Sequence, residues 1–193
     1  VPFYLHRIGL DYTGMFILEA VFSLGMIVFE IPTGIVADRW GRKTSLFLGS
    51  CFFAAGFLLF GIFTSYFILV IAEIICAIGM TLLSGADRAI VYEILMESGE
   101  VHRAGTVLAR YDAAGTAGML IAFPAGSLFT GSGIVPYNTA LGIVFVATAI
   151  AVFAGGIIVL AVKESKFEKS TQNPFRQGLD GFLRILKLPD LRL

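Results

Sequence analysis

Gly34-Ile35-Val36-Ala37-Asp38-Arg39-Trp40-Gly41-Arg42-Lys43 is a short charged passage between two long apolar runs. Before it, residues 14–37 hold no basic residue, and after it, residues 44–63 hold no charge at all. About 20 apolar residues, rising about 1.5 Å each, cross a hydrocarbon core about 30 Å thick. The passage therefore reads as a turn at a membrane face, between two spans.

The whole chain agrees with that reading. A mean hydropathy of +0.86, with 57% hydrophobic and 15% charged residues, is too apolar for a domain wrapped in water. Spans are expected at about 14–37, 44–63, 67–95, 104–130 and 139–162, with residues 1–5 as the stub of an earlier one. Val1 opens the chain without the basic, apolar and small-residue sequence of a signal peptide, so the chain reads as a fragment or as one lacking its start.

Loop charge gives the orientation. Residues 38–43, 97–103 and everything after Lys163 carry Arg and Lys, while 64–65 and 131–138 carry no charge. By the positive-inside rule the basic loops and the tail 163–193 are expected in the cytoplasm, the protein lying in the cell inner (plasma) membrane. Completing the first span makes six helices with both ends on that side. In the tail, Phe175, Leu179, Phe182, Leu183 and Leu186 recur at helical spacing opposite Arg176, Asp180, Arg184 and Lys187. This predicts an amphipathic helix on the membrane surface or against another domain.

The ten residues from Gly34 to Lys43 closely resemble the G-x-L-A-D-R-x-G-R-K loop between the second and third spans of major facilitator transporters. Phe29-Glu30-Ile31-Pro32-Thr33 before it, and Ser84-Gly85-Ala86-Asp87-Arg88 with Tyr92-Glu93, are similar to one bacterial and archaeal branch of drug-exporter-like members. The resemblance implies an all-α membrane fold: a major facilitator half-bundle of six helices, the first truncated, in an inverted 3+3 repeat. It implies a transmembrane bundle over 1–162 and a linker over 163–193 leading to a second six-helix half. Gly34, Asp38, Arg39, Gly41, Arg42 and Lys43 become a gating motif, Gly34 permitting close helix contact and Asp38 forming a charge network with Arg39 and Arg42. Two departures stand out. Arg88 is followed by Tyr92 where many members have glycine, and residues 113–126, with Gly118, Pro124 and Gly126, match the antiporter pattern of the fifth span only in part.

Charges inside the spans are the candidate site. A charge at the bilayer centre costs about 2.5 to 3.5 kcal/mol on insertion scales, so such residues face a cavity or a partner. Glu19, Ser23, Met26 and Glu30 share one face of the first full span, expected to point into the bundle. Glu19 and Glu73 lie about 8 to 10 Å from the outer surface. With Glu30 they are the candidates for proton coupling or substrate recognition. The alternatives are a helix-end carboxylate reaching water for Glu19 and a hydrogen-bonded packing residue for Glu73. Near the cytoplasmic face Glu30, Asp87, Arg88, Glu93, Arg110 and Asp112, with Asp38 and Arg42, read as one network able to hold a gate.

Glycines in the spans, among them Gly49, Gly56 and Gly61 and also Gly115, Gly118 and Gly126, read as close-packing positions. Met26, Met80, Met119 and the phenylalanines suit either an adaptable cavity or ordinary packing. Cys51 and Cys76 sit in apolar runs without a second ligand. No H-E-x-x-H, G-x-S-x-G or phosphate-binding loop occurs, and the formal charge is zero. The sequence thus points away from an enzyme, from any cofactor or metal, and from nucleic acid. The partners expected are the bilayer, a small-molecule substrate and the second half. The expected function is proton-coupled export of a small organic or drug-like solute by alternating access, against a facilitative carrier of solute or lipid, or a non-transport scaffold.

Overall fold

Hydrocarbon offers the backbone no water to bond, so a crossing segment satisfies its own N–H and C=O groups as a helix. The computed structural model describes residues 8–162, and no strand occurs among them. The expected stub at 1–5 and the tail at 163–193 lie outside the described residues.

The helices are α1 (Tyr12–Trp40), α2 (Arg42–Ile62), α3 (Tyr66–Ser84), α4 (Asp87–Glu97), α5 (Ala104–Gly131) and α6 (Tyr137–Leu160). Five helical stretches are long and apolar enough to cross a membrane, α3 and α4 together making one of them, Tyr66–Glu97. Their bounds fall within a few residues of the expected spans. Asp11 caps α1 by accepting from the Gly14 N–H at 2.9 Å. Gly99 and Gly133, with φ of 70° and 72°, supply the left-handed turns that end the α4 and α5 stretches.

Lipid tails are as apolar as leucine, so helices in a membrane are held chiefly by close backbone packing. Here α2 is the hub, lying along α3 on one side and α6 on the other, while α3 also packs on α1. Small residues set those contacts. A Cβ on Gly79 of α3 would meet the Phe53 backbone of α2 at 2.6 Å, and one on Gly49 would meet the Gly79 carbonyl at 3.0 Å. On the other side a Cβ on Gly61 would meet the Gly142 carbonyl at 3.0 Å, and one on Gly156 would meet Ser50 Cβ at 2.6 Å. Gly142, Ala149 and Gly156 are buried at intervals of seven, the spacing that keeps one face of α6 against a neighbour crossing at a shallow angle.

Around these contacts Leu18, Phe60, Leu69, Ala72 and Cys76 form the main core, with Phe53 and Phe145 against it. The Phe60 and Phe145 rings stack with centroids 5.5 Å apart, so these phenylalanines pack helices together. The buried Ser45 hydroxyl of α2 donates to the Leu82 carbonyl of α3 at 2.8 Å.

Three expectations need correction. The packed stripe of α1 runs through Met15, Leu18, Gly25, Thr33 and Ala37, so Glu19, Ser23 and Glu30 are exposed on the neighbouring face rather than turned into the described bundle. Leu18 and Glu19 are adjacent, about 100° apart around the helix, and α1 is apolar on every side; periodicity alone could not choose between them. Among the described residues a Cβ on Gly34 would meet nothing within 4 Å, and neither would one on Gly115 or Gly118 of α5, a helix with no buried residue that touches α6 and α4 only sparsely.

Gly79→Ala should therefore lower stability by ~1–3 kcal/mol through overpacking, while Gly118→Ala should be neutral or stabilising by up to ~1 kcal/mol through helix propensity. Unfolding of the detergent-solubilised chain measures both, and equal effects would contradict the packing described.

Candidate functional site

A single residue separates α1 from α2. Gly41 makes the junction at φ 93° and ψ 155°, a backbone conformation that side-chain-bearing residues avoid. Its N–H donates to the Ala37 carbonyl at 3.1 Å, and its own carbonyl accepts from the Ser45 N–H at 3.1 Å. The junction thus ends one helix and starts the next without a loop.

Two charges flank that junction, and each sits at the wrong end of its own helix. Asp38 lies in the last turn of α1, where the dipole is negative, and Arg42 opens α2, where it is positive. Each is compensated by the other: Arg42 Nη2 lies 3.1 Å from Asp38 Oδ1. Arg42 Nε also donates to Glu93 Oε1 of α4 at 3.4 Å. The Arg42 and Glu93 side chains are only 19% and 18% exposed, which makes the pairing more than a solvated surface contact. One guanidinium thereby ties the α1–α2 junction to α4.

A second network joins α4 to α5. Asp87 stands in the first turn of α4, where the dipole favours a carboxylate, and accepts from the Arg88 N–H at 2.6 Å and from the Tyr111 hydroxyl at 3.4 Å. Arg88 Nη2 donates to Asp112 at 3.1 and 3.3 Å to its two oxygens. This pair is largely solvent-facing, with side chains 66% and 53% exposed, and contributes little to stability.

The expected single network is thus two, both anchored on α4, through Glu93 and through Asp87 with Arg88. Arg110 and Glu30 are exposed and belong to neither, and Arg39 is exposed beside the junction. Lys43 is half-buried in the first turn of α2. Tyr111 was not singled out from sequence, although its place next to Asp112 on a polar stretch was a signal.

Among the in-span carboxylates, Glu73 is the buried one, 6% exposed on α3 and about 10 Å from the helix start. It lies one turn before Ala77, whose Cβ would be 2.8 Å from a Cβ on Gly25 of α1, so it belongs to the packed α1–α3 side. Glu19 is exposed on α1, and the structure does not carry it onto that face.

Pro32 inside α1 removes one N–H from the helix ladder. Thr33 works at the same place: its hydroxyl donates to the Phe29 carbonyl at 2.7 Å and lies 3.2 Å from that of Glu30. Such back-bonding bends helices, and it falls two turns before the Gly41 junction.

A family model described as Major Facilitator Superfamily matches residues 1–191. Multidrug resistance protein 2 of Bacillus subtilis is 28% identical over 189 residues, covering 97% of this chain and 44% of the relative. Facilitated glucose transporter member 10 of solute carrier family 2 from Danio rerio is 32% identical over 114 residues, 58% of this chain and 21% of that protein. The uncharacterized MFS-type transporter YfkF of Bacillus subtilis is 35% identical over 60 residues, 28% of this chain and 15% of the relative. The chain spans less than half the length of these relatives. No solved structure matches the chain.

Removing Arg42 would leave two carboxylates facing each other without their cation. Arg42→Ala should cost ~1–3 kcal/mol of stability, and adding Glu93→Gln should return part of that loss, because the double variant no longer holds Glu93 as an unpaired charge. A double-mutant cycle read by thermal unfolding decides this, and strict additivity would remove the pair from the account.

Proposed function

Because the chain belongs to the major facilitator superfamily, we propose that it is the N-terminal half of a secondary transporter, moving a small organic or drug-like solute outward in exchange for protons. In this reading its six helices form an inverted 3+3 repeat and the second six-helix half follows a linker over 163–193. The basic segments 38–43 and 97–103 lie in the cytoplasm beneath the plasma membrane, and the protein rocks between inward and outward access around a path between the halves. Binding energy and rocking do the work, and no covalent chemistry is required. The similarity to a multidrug resistance protein along 97% of the chain supports a drug-like solute.

The observation that carries proton coupling is Glu73, a carboxylate buried in a helix that crosses the membrane. Taking a carboxylate from water is costly unless a proton or a cation accompanies it. A group in that position gains a proton or a partner in one access state and releases it in the other. Glu19 and Glu30, on the open face of α1, are the groups a passing cation would meet. The Asp38–Arg42–Glu93 network, with Gly34, Arg39, Gly41 and Lys43 around the junction, serves as the cytoplasmic gate, and Asp87, Arg88, Arg110 and Asp112 as its extension toward α5. Breaking such pairs on rocking is a discrete switch rather than a gradual deformation.

A second reading, facilitated diffusion, is favoured by the similarity to a protein named as a facilitated glucose transporter. The two differ in their response to a gradient. In proteoliposomes with an imposed pH gradient and a panel of lipophilic cations and sugars, coupled transport should rise with the gradient. Glu73→Gln should abolish that dependence while leaving exchange down a solute gradient. Uptake indifferent to pH, and unchanged in the variant, would establish the facilitative reading instead.

A further inference from the structure

Two clefts lie on the seam between α2 and α6, and both open on the side away from the core. The first, about 460 Å³, sits at the uncharged end and is lined by Thr64, Asn138 and Thr139 over a floor that includes Ile143 and Val146. The second, about 320 Å³, lies deeper along the same seam between Cys51, Ala55 and Leu58 of α2 and Ile150 and Phe153 of α6. Around each helix these lining residues occupy one flank, opposite the flank on which Phe57, Phe60 and Phe145 stack. Leu58, Ile143, Ile150 and Phe153 are all exposed.

The shape follows from the packing. The backbones come close at Gly61 and Gly142, where a Cβ would meet a carbonyl at 3.0 Å, and beyond that point each helix ends within a few residues. The chain diverges there into a wedge that carries two hydroxyls and one carboxamide over an apolar floor, without a charged lining residue. Below the crossing the small Ala54, Ala55 and Ala149 leave the seam shallow, so it becomes an apolar channel. From Gly61 in the first cleft to Cys51 in the second the seam descends about 15 Å, half of a hydrocarbon core about 30 Å thick.

We propose that this seam is a binding site for one phospholipid of the leaflet at the uncharged end. Its glycerol-ester region sits in the wedge, accepting hydrogen bonds from Thr64, Asn138 and Thr139, and one acyl chain lies along the channel to Cys51. Hydrogen-bond donors without charge, placed at interface depth above an apolar channel one leaflet deep, match the ester carbonyls and chain of a bilayer lipid. The first turn of α6 borders the wedge, and its dipole favours a phosphate there. A second copy of the chain is the poorer fit, because a helix in the seam would cover the wedge with apolar side chains and strand its polar groups.

The test reconstitutes the full chain in phosphatidylethanolamine and phosphatidylglycerol vesicles. These are doped with a phosphatidylethanolamine carrying a diazirine midway along one acyl chain, irradiated and mapped by peptide mass spectrometry. Adducts should concentrate on Leu58, Ile150 and Phe153 over Leu120 and Phe123, which are more exposed but lie on α5. Ala55→Trp should clear the channel of adducts. Thr64→Val with Asn138→Leu should cut them about 25-fold, the worth of roughly two neutral hydrogen bonds, without changing α5 labelling. All three substituted positions are exposed, so folding should survive, and the wedge variant stands alone if Ala55→Trp does not express. Labelling that simply follows exposure, or a wedge variant labelled like the parent, would overturn the site. So would lipid-independent crosslinking of two chains through Ile150.

Discussion

Close backbone contact along α2 is the constraint on which the rest depends. No hydrophobic force gathers helices that are already in hydrocarbon, so the bundle is held where side chains shrink enough for main chains to touch. Gly49 and Gly79 bring α2 against α3, and Gly61, Gly142 and Gly156 bring it against α6. The flank of this packing that turns inward carries the phenylalanine core, and the outward flank carries the clefts. The same small residues thus produce both the tightest and the most open parts of the seam.

The charged end is organised by a different rule. Asp38 and Arg42 each oppose the dipole of their own helix, and the pairing that relieves them also recruits Glu93 from α4. Asp87 and Arg88, on the same short helix, turn toward α5 instead. Thus α4 is the element through which the α1–α2 junction and α5 are electrostatically connected, while α5 itself, with no buried residue, touches the described bundle only sparsely, along α6 as well as α4.

Much of this was legible from sequence because bilayer thickness fixes span length and because charge partitions to the ends; the positions of the crossings and of the Gly41 turn follow from those two facts. The family resemblance carried by residues 34–43 is matched by the family model over 1–191. Facing was not legible. On α1 nearly every position is apolar, so Leu18 inward and Glu19 inward differ by one residue and by nothing in the pattern. The glycines looked alike as well, yet Gly79 has a backbone against it and Gly118 has open space, a difference that depends on which helix lies opposite. Pairing within the charged cluster was likewise unreadable, since Arg42 and Glu93 are 51 positions apart and only the fold decides that they meet.

The Gly41 junction has a mechanical consequence. With one residue between two long helices there is no slack, so a tilt of the end of α1 is not absorbed by a flexible link. It must be taken up in the two torsions of Gly41 or delivered to α2 as a rotation about its own axis. Because α2 is wedged between α3 and α6, that rotation is resisted by two sets of touching backbones, and the junction behaves as a stiff crank rather than a tether.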